Sequence, residues 1–149
     1  MTQTLLKQTL RQLQIAYYSV YIAAIAAATS GFYILKSGFI LNPLSQTGTI
    51  VNTMLIIFII GSIPFVLGYF NKLTKQWALL EDENKRLENY RKAGVIRITI
   101  IGLGLVLGVL FFYIMNSQSM IFCAGIAAIA LFFCKPTEAK ICTELNINN

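Results

Sequence analysis

The sequence has no histidine, only six acidic residues against twelve basic ones, and no acid inside any of its long apolar stretches. Each absence excludes something. Proton and cation pathways through a membrane ordinarily use a carboxylate, histidine or lysine held at membrane depth. A rotary proton-carrying subunit or a small proton-coupled multidrug exporter is therefore disfavoured. The three cysteines, Cys123, Cys134 and Cys142, form no paired motif, and dispersed thiols without histidine do not compose a closed metal site. Disulfide transfer is disfavoured too, because the orientation inferred below puts Cys134 and Cys142 in a reducing compartment. Their bland reading is burial or indifference; lipid attachment is the alternative in a eukaryotic host. No glycine-rich phosphate loop, nucleophile motif or catalytic carboxylate pair occurs. The expectation is a non-enzymatic protein with no cofactor and no metal. A lipid-modifying enzyme would need Arg97 and nearby tyrosines to supply its chemistry.

What the chain does have is apolar length. With 56% hydrophobic and 12% charged residues it is too apolar for a soluble domain. It reads as one transmembrane domain, an all-α protein of four membrane helices in a compact bundle. The predicted spans are 15–35, 50–70, 95–115 and 117–134. About 20 residues cross a hydrocarbon core. The fourth span is short and requires local thinning, an upright helix or burial among neighbours; Lys135 and Pro136 mark its end. A cleavable signal peptide is the rival reading of the first span, since Lys7 and Arg11 precede a run containing Ala26, Ala27 and Ala28. The run continues to Leu35, longer than a signal core needs.

Orientation follows from charge. Eleven of the twelve Lys and Arg residues flank the N-terminal segment, the second-to-third connector or the C-terminal tail, leaving Lys36 alone in the other compartment. Both termini are expected in the cytoplasm, most simply across a bacterial inner membrane. The basic excess then belongs to anionic lipid headgroups rather than nucleic acid. Tyr17, Tyr18 and Tyr21, and Phe111, Phe112 and Tyr113, suit headgroup belts or ordinary packing. Arg97, two residues inside the third span, is expected to snorkel to the interface; a binding role within the membrane is the alternative.

Leu6, Leu10 and Leu13 recur at helical spacing in 2–14, which predicts an amphipathic cytoplasmic helix at the interface, continuing into the first span or separate from it. The external loop, 36–49, carries an apolar centre among Gly38, Pro43 and Gly48 and should cap the bundle or act as a lid. The connector 71–94 is the one large polar feature. Its acid-first pairs Glu81–Lys85, Asp82–Arg86 and Glu88–Lys92 predict a helix over 81–92 and a turn near 79–82. Two geometries fit this cytoplasmic arm, a helical hairpin extending both spans or a helix along the interface, and the hairpin is favoured. Leu73, Trp77, Leu80, Asn84, Leu87 and Arg91 alternate four and three apart, like a heptad seam with one polar member. Trp77, Leu80, Asn84, Leu87 and Arg91 are thus the candidate partner-docking residues, with lipid contact as the alternative. The tail, 135–149, is expected to help.

Sliding the chain by 80 residues superposes Phe32, Tyr33, Ile34 and Ser37 on Phe112, Tyr113, Ile114 and Ser117, and a shift of 63 places Phe70, Lys72 and Thr74 on Phe133, Lys135 and Thr137. A true duplication would make two tandem parallel helical hairpins; chance matching among apolar residues is the alternative. Small residues at four-residue spacing, Ala23, Ala27, Gly31, Gly104, Gly108, Ala124 and Ala128, should mark helix contacts within the bundle, with a dimerisation face, and hence an oligomer, as the alternative. Pro64 should kink the second span as a bend or a hinge. Asn52, Ser62 and Thr99, with Thr53, either line a narrow pathway or bond locally. Two functions follow: an accessory or assembly subunit docking a partner through the arm, or a small channel or carrier for an uncharged or lipid-like solute.

Overall fold

Long apolar runs and few breakers give long helices. The computed structural model describes residues 2–147, which form α1 (Thr2–Lys36), α2 (Gln46–Trp77), α3 (Glu83–Met115), α4 (Gln118–Phe133) and α5 (Glu138–Leu145). The first three are long and apolar enough to cross a membrane, and α4 and α5 form a pair bent by 75°. The chain is a helical membrane protein. Large side chains such as Ile22, Ile25, Phe65 and Phe122 point outward, which water would penalise and lipid accepts.

Local chemistry sets the helix ends. Ser45, in extended backbone, accepts the Gly48 N–H on its hydroxyl at 3.0 Å and starts α2. Gly48 has to be glycine, since a Cβ there would collide with the Asn42 carbonyl oxygen. Asp82 accepts the Asn84 N–H at 3.0 Å and starts α3, so the helix begins at Glu83 rather than 81. Asn116 ends α3 in the left-handed region, and Ser117 leads into α4.

The connector is the hairpin: α2 runs on to Trp77, the turn occupies 78–82 and α3 returns. The expected heptad seam does not survive it, because Leu80 lies in the turn and Thr74, not Leu73 or Trp77, is the buried residue at the end of α2. Nor is 2–14 a separate interfacial helix. It is the first part of one helix with the first span, about 52 Å long at about 1.5 Å per residue. Its apolar stripe, Leu6, Thr9, Leu13, Tyr17, Ala27 and Gly31, is buried against α3 instead of lying among headgroups.

Helices α1 and α3 run parallel. A Cβ on Gly94 would meet Leu13 at 2.8 Å, one on Gly102 would meet Val20 at 2.5 Å, and one on Gly31 would meet Tyr113 at 2.7 Å. The small residues let the backbones approach along the whole pair. Gly108 does the same for α3 and α4, where a Cβ would lie 3.0 Å from that of Ala124. Helix α3 contacts α1, α2 and α4, whereas α1 makes at most marginal contact with α2 or α4. The parallel setting of α1 and α3 suits a duplication, but a symmetric pair of hairpins would pack α1 on α2 as closely as α3 on α4, and that is absent among the described residues.

One end of the molecule gathers the start of α1, the arm and α5; the loop after α1 and the α3–α4 turn share the other. At that second end the Leu41 N–H donates to the Ile114 carbonyl at 2.9 Å, and Ser117 Oγ donates to Asn52 Oδ1 at 3.3 Å. The loop is tied to the end of α3 there, while Phe39, Ile40 and Leu44 of its apolar centre point outward. At the charged end the tail, described as far as residue 147, folds back as α5 with Ile141 and Leu145 fully buried.

Candidate functional site

The expected docking residues do not form one surface. Leu87 is buried in the core, only 1% exposed, because its position on α3 faces α1. Trp77 packs edge-on against Phe70, ring centroids 6.3 Å apart. The Leu80 carbonyl accepts a hydrogen bond from Arg86 Nε, and its neighbour Leu79 projects outward at the hairpin tip. Asn84 is exposed and Arg91 half-buried. With Leu5, Thr9, Leu87 and Glu88 these two line a groove of about 230 Å³ between the starts of α1 and α3. Glu88 is drawn below the usual carboxylate range by its hydrogen bond and ion pair with Lys92, at 2.8 Å. The tail is not a free arm: α5 is held by its own protein.

The expected pathway residues do not converge either. Asn52 is tied to Ser117 at the far end from the arm. Ser62 returns its hydroxyl to the Ile59 carbonyl at 3.2 Å. Thr99 is exposed, at the rim of a shallow groove shared with Ala16, Val20 and Gly102. Helix α2 passes through Pro64 without a break, and Pro64 itself faces outward. Ser62 is satisfied within its own helix, as hydroxyls in membrane helices commonly are, and Asn52 by the residue that leads into α4.

The chemistry gathers instead around Arg97, which is enclosed by its own protein. Only 7% of it is exposed; its guanidinium carbon sits 3.7 Å from the centroid of the Phe70 ring, a cation–π contact across the α2–α3 hairpin. Its Nε has no hydrogen-bond partner, and among the described residues no carboxylate lies within ion-pair distance of it. Phe70 in turn meets the Tyr90 ring edge-on at 5.3 Å. Tyr90 donates its hydroxyl to Glu144 Oε2 at 2.6 Å, so Arg97, which acts on the same phenol through its charge and a side-chain hydrogen bond, is linked through it to the tail. Burial first, then Glu144, pushes the Tyr90 phenol up, while the Arg97 charge pulls the other way.

Beside Arg97 a cavity of about 300 Å³ opens between α2 and α3, lined by Phe65, Val66, Tyr69, Phe70, Leu73, Ala93, Ile96, Arg97 and Ile100. The surface it presents is almost wholly hydrocarbon: the Arg97 nitrogens and the Tyr69 hydroxyl are turned away from it. Sequence reasoning singled out Arg97, a cation just inside a span, but passed over Phe65, Tyr69 and Phe70, whose four- and five-residue spacing on α2 was the signal that could have found them. No group of three or more His, Cys, Asp or Glu residues is placed to hold a metal among the described residues. Compared with known proteins, the chain matches no family model, no curated protein and no solved structure.

Proposed function

We propose that this is a non-enzymatic accessory or assembly subunit, a four-span protein of a bacterial inner membrane that docks a partner through its cytoplasmic arm. The observation that carries this reading is the charged end itself. The start of α1, the arm and α5 pack into one helical cap, and this cap presents the Asn84–Arg91 groove and an outward Leu79. Leu79 and the adjacent Leu80 leave apolar surface at the hairpin tip for a partner to cover. Four crossings are favoured because the two ends of the described chain and the arm share one side, which an even number of crossings requires. Helix α4 spans about 24 Å at about 1.5 Å per residue, short for the core, and its packing against α3 and α2 supports it. Anionic headgroups would meet the basic residues of the same end.

The test is cross-linking in native membranes with mass spectrometry, on the wild type and on a Leu79→Asp, Arg91→Glu variant. Both positions lie outside the core, so membrane levels should hold while arm cross-links to one partner disappear. Unchanged cross-links would count against arm docking. The second reading, a carrier for a lipid-like solute, is favoured by the α2–α3 cavity beside Pro64.

A further inference from the structure

We infer that the groove between the starts of α1 and α3 receives a carboxylate side chain of the docking partner, with Arg91 as its cation and Thr9 and Asn84 as neutral hydrogen-bond donors. The inference rests on partner docking and names the chemistry that the partner brings. Arg91 is half-buried, and among the described residues no carboxylate lies within ion-pair distance of it. Glu88 lines the same groove but is taken by Lys92 at 2.8 Å. Thr9 is a second, independent sign. A helical hydroxyl ordinarily returns to a carbonyl one turn back, as those of Thr74 and Thr143 do. Thr9 is only 3% exposed and lines the groove, yet its hydroxyl has no hydrogen-bond partner among the described residues. Buried polar groups are ordinarily bonded, so the groove is incomplete as it stands.

Size and charge narrow the ligand. The groove holds about 230 Å³ and offers polar and apolar surface together, room for one acidic side chain whose stem lies on Leu5. A planar guanidinium matches the two oxygens of a carboxylate, whereas the charge of Glu88 disfavours a dianion such as a phosphate monoester. Height separates the site from lipid. From Arg97 to the end of α3 at Met115 the helix rises about 27 Å, close to the thickness of a hydrocarbon core, about 30 Å, so Arg97 marks its edge. Arg91 lies about 9 Å farther out, past a headgroup layer about 5–7 Å deep. The groove therefore meets water. Among the acids of this chain, Glu88 and Glu144 are bonded, and Glu81, Asp82 and Glu83 lie about 12–15 Å beyond Arg91, which leaves Glu138 alone for a second copy to present.

The test is full-length protein carrying Arg91→Lys, in native membranes, treated with a water-soluble carbodiimide, which condenses an amine with a carboxylate in contact with it. Arginine does not react, so the wild type is the control. The expected result is an amide joining the amine introduced at position 91 to an aspartate or glutamate of one other protein, read at residue level by mass spectrometry. Adding Thr9→Val or Asn84→Ala should lower its yield about threefold, and Arg91→Gln should lower arm cross-links to that protein at least about tenfold. Coupling to Glu88 or Glu138 only, or a yield that Thr9→Val leaves unaltered, would overturn the assignment. If the wild-type arm gives no cross-link to another protein, arm docking has failed and this assignment with it. If it does, and position 91 couples to none of that protein's acids, the carboxylate assignment alone has failed.

Discussion

The hydroxyl of Tyr90 on α3 and the carboxylate of Glu144 on α5 are joined by a 2.6 Å hydrogen bond, which fastens the tail to the arm. Arg86 adds a second tie, donating through Nη1 to the Leu145 carbonyl at 3.1 Å. Between them Ile141 and Leu145 are fully buried, so the tail is part of the fold.

Tyr90→Phe should lower stability by about 1–2 kcal/mol, the value of a hydrogen bond to a charged group that water can partly replace. The effect depends on pH. The folded protein holds the Tyr90 proton more tightly than the unfolded chain, which releases it near pH 10. The contribution is complete below that pH and is lost as pH rises toward the folded value. The difference in thermal midpoint between wild type and Tyr90→Phe, followed by Trp77 fluorescence, should be constant from pH 6 to about 9 and close in more alkaline buffer. A difference that widens would contradict this account.

Glycine substitutions should separate into two groups. Gly102→Ala would drive a methyl into Val20, and Gly108→Ala into Ala124, including its backbone, so each should cost about 1–3 kcal/mol. Gly61, Gly68 and Gly125 have open space where a Cβ would be; changing each to Ala should be neutral or stabilising by about 0.4–1 kcal/mol. Melting in a single detergent compares all five.

Leu87→Ala empties a fully enclosed position and should cost about 2–5 kcal/mol. Asn84→Ala, one turn earlier at the exposed start of the same helix, should change stability by less than about 0.5 kcal/mol. Equal effects would show that Leu87 is not enclosed.

Single cysteines at 79 and 140, introduced with the native thiols replaced, should react with an impermeant maleimide from one face of the membrane, and a cysteine at 40 from the other. Labelling of 79 and 140 from opposite faces would remove α4 as a crossing.

Hydropathy made three spans legible, and charge order made the hairpin turn legible to within a residue or two: Asp82 caps and Glu83 leads, as a helix N-terminus prefers. The small-residue contacts were partly legible, with Ala27, Gly31, Gly104, Gly108 and Ala124 buried but Ala23 exposed. The choice of face was not. Leu87 is a docking candidate by its spacing and is enclosed in the core, and nothing in the spacing of Arg97 indicates that it lies on Phe70.

The sequence by itself determined that long apolar helices form, where they stop, and that charge collects at one end, because hydropathy, capping and breakers act through local chemistry. Only the tertiary structure decided that α3 is central with α1 parallel to it, that the tail folds onto the arm, and that Arg97 is enclosed beside an apolar cavity. The physical reason is that lipid and a neighbouring helix are equally apolar, so composition alone does not distinguish the face that meets one from the face that meets the other.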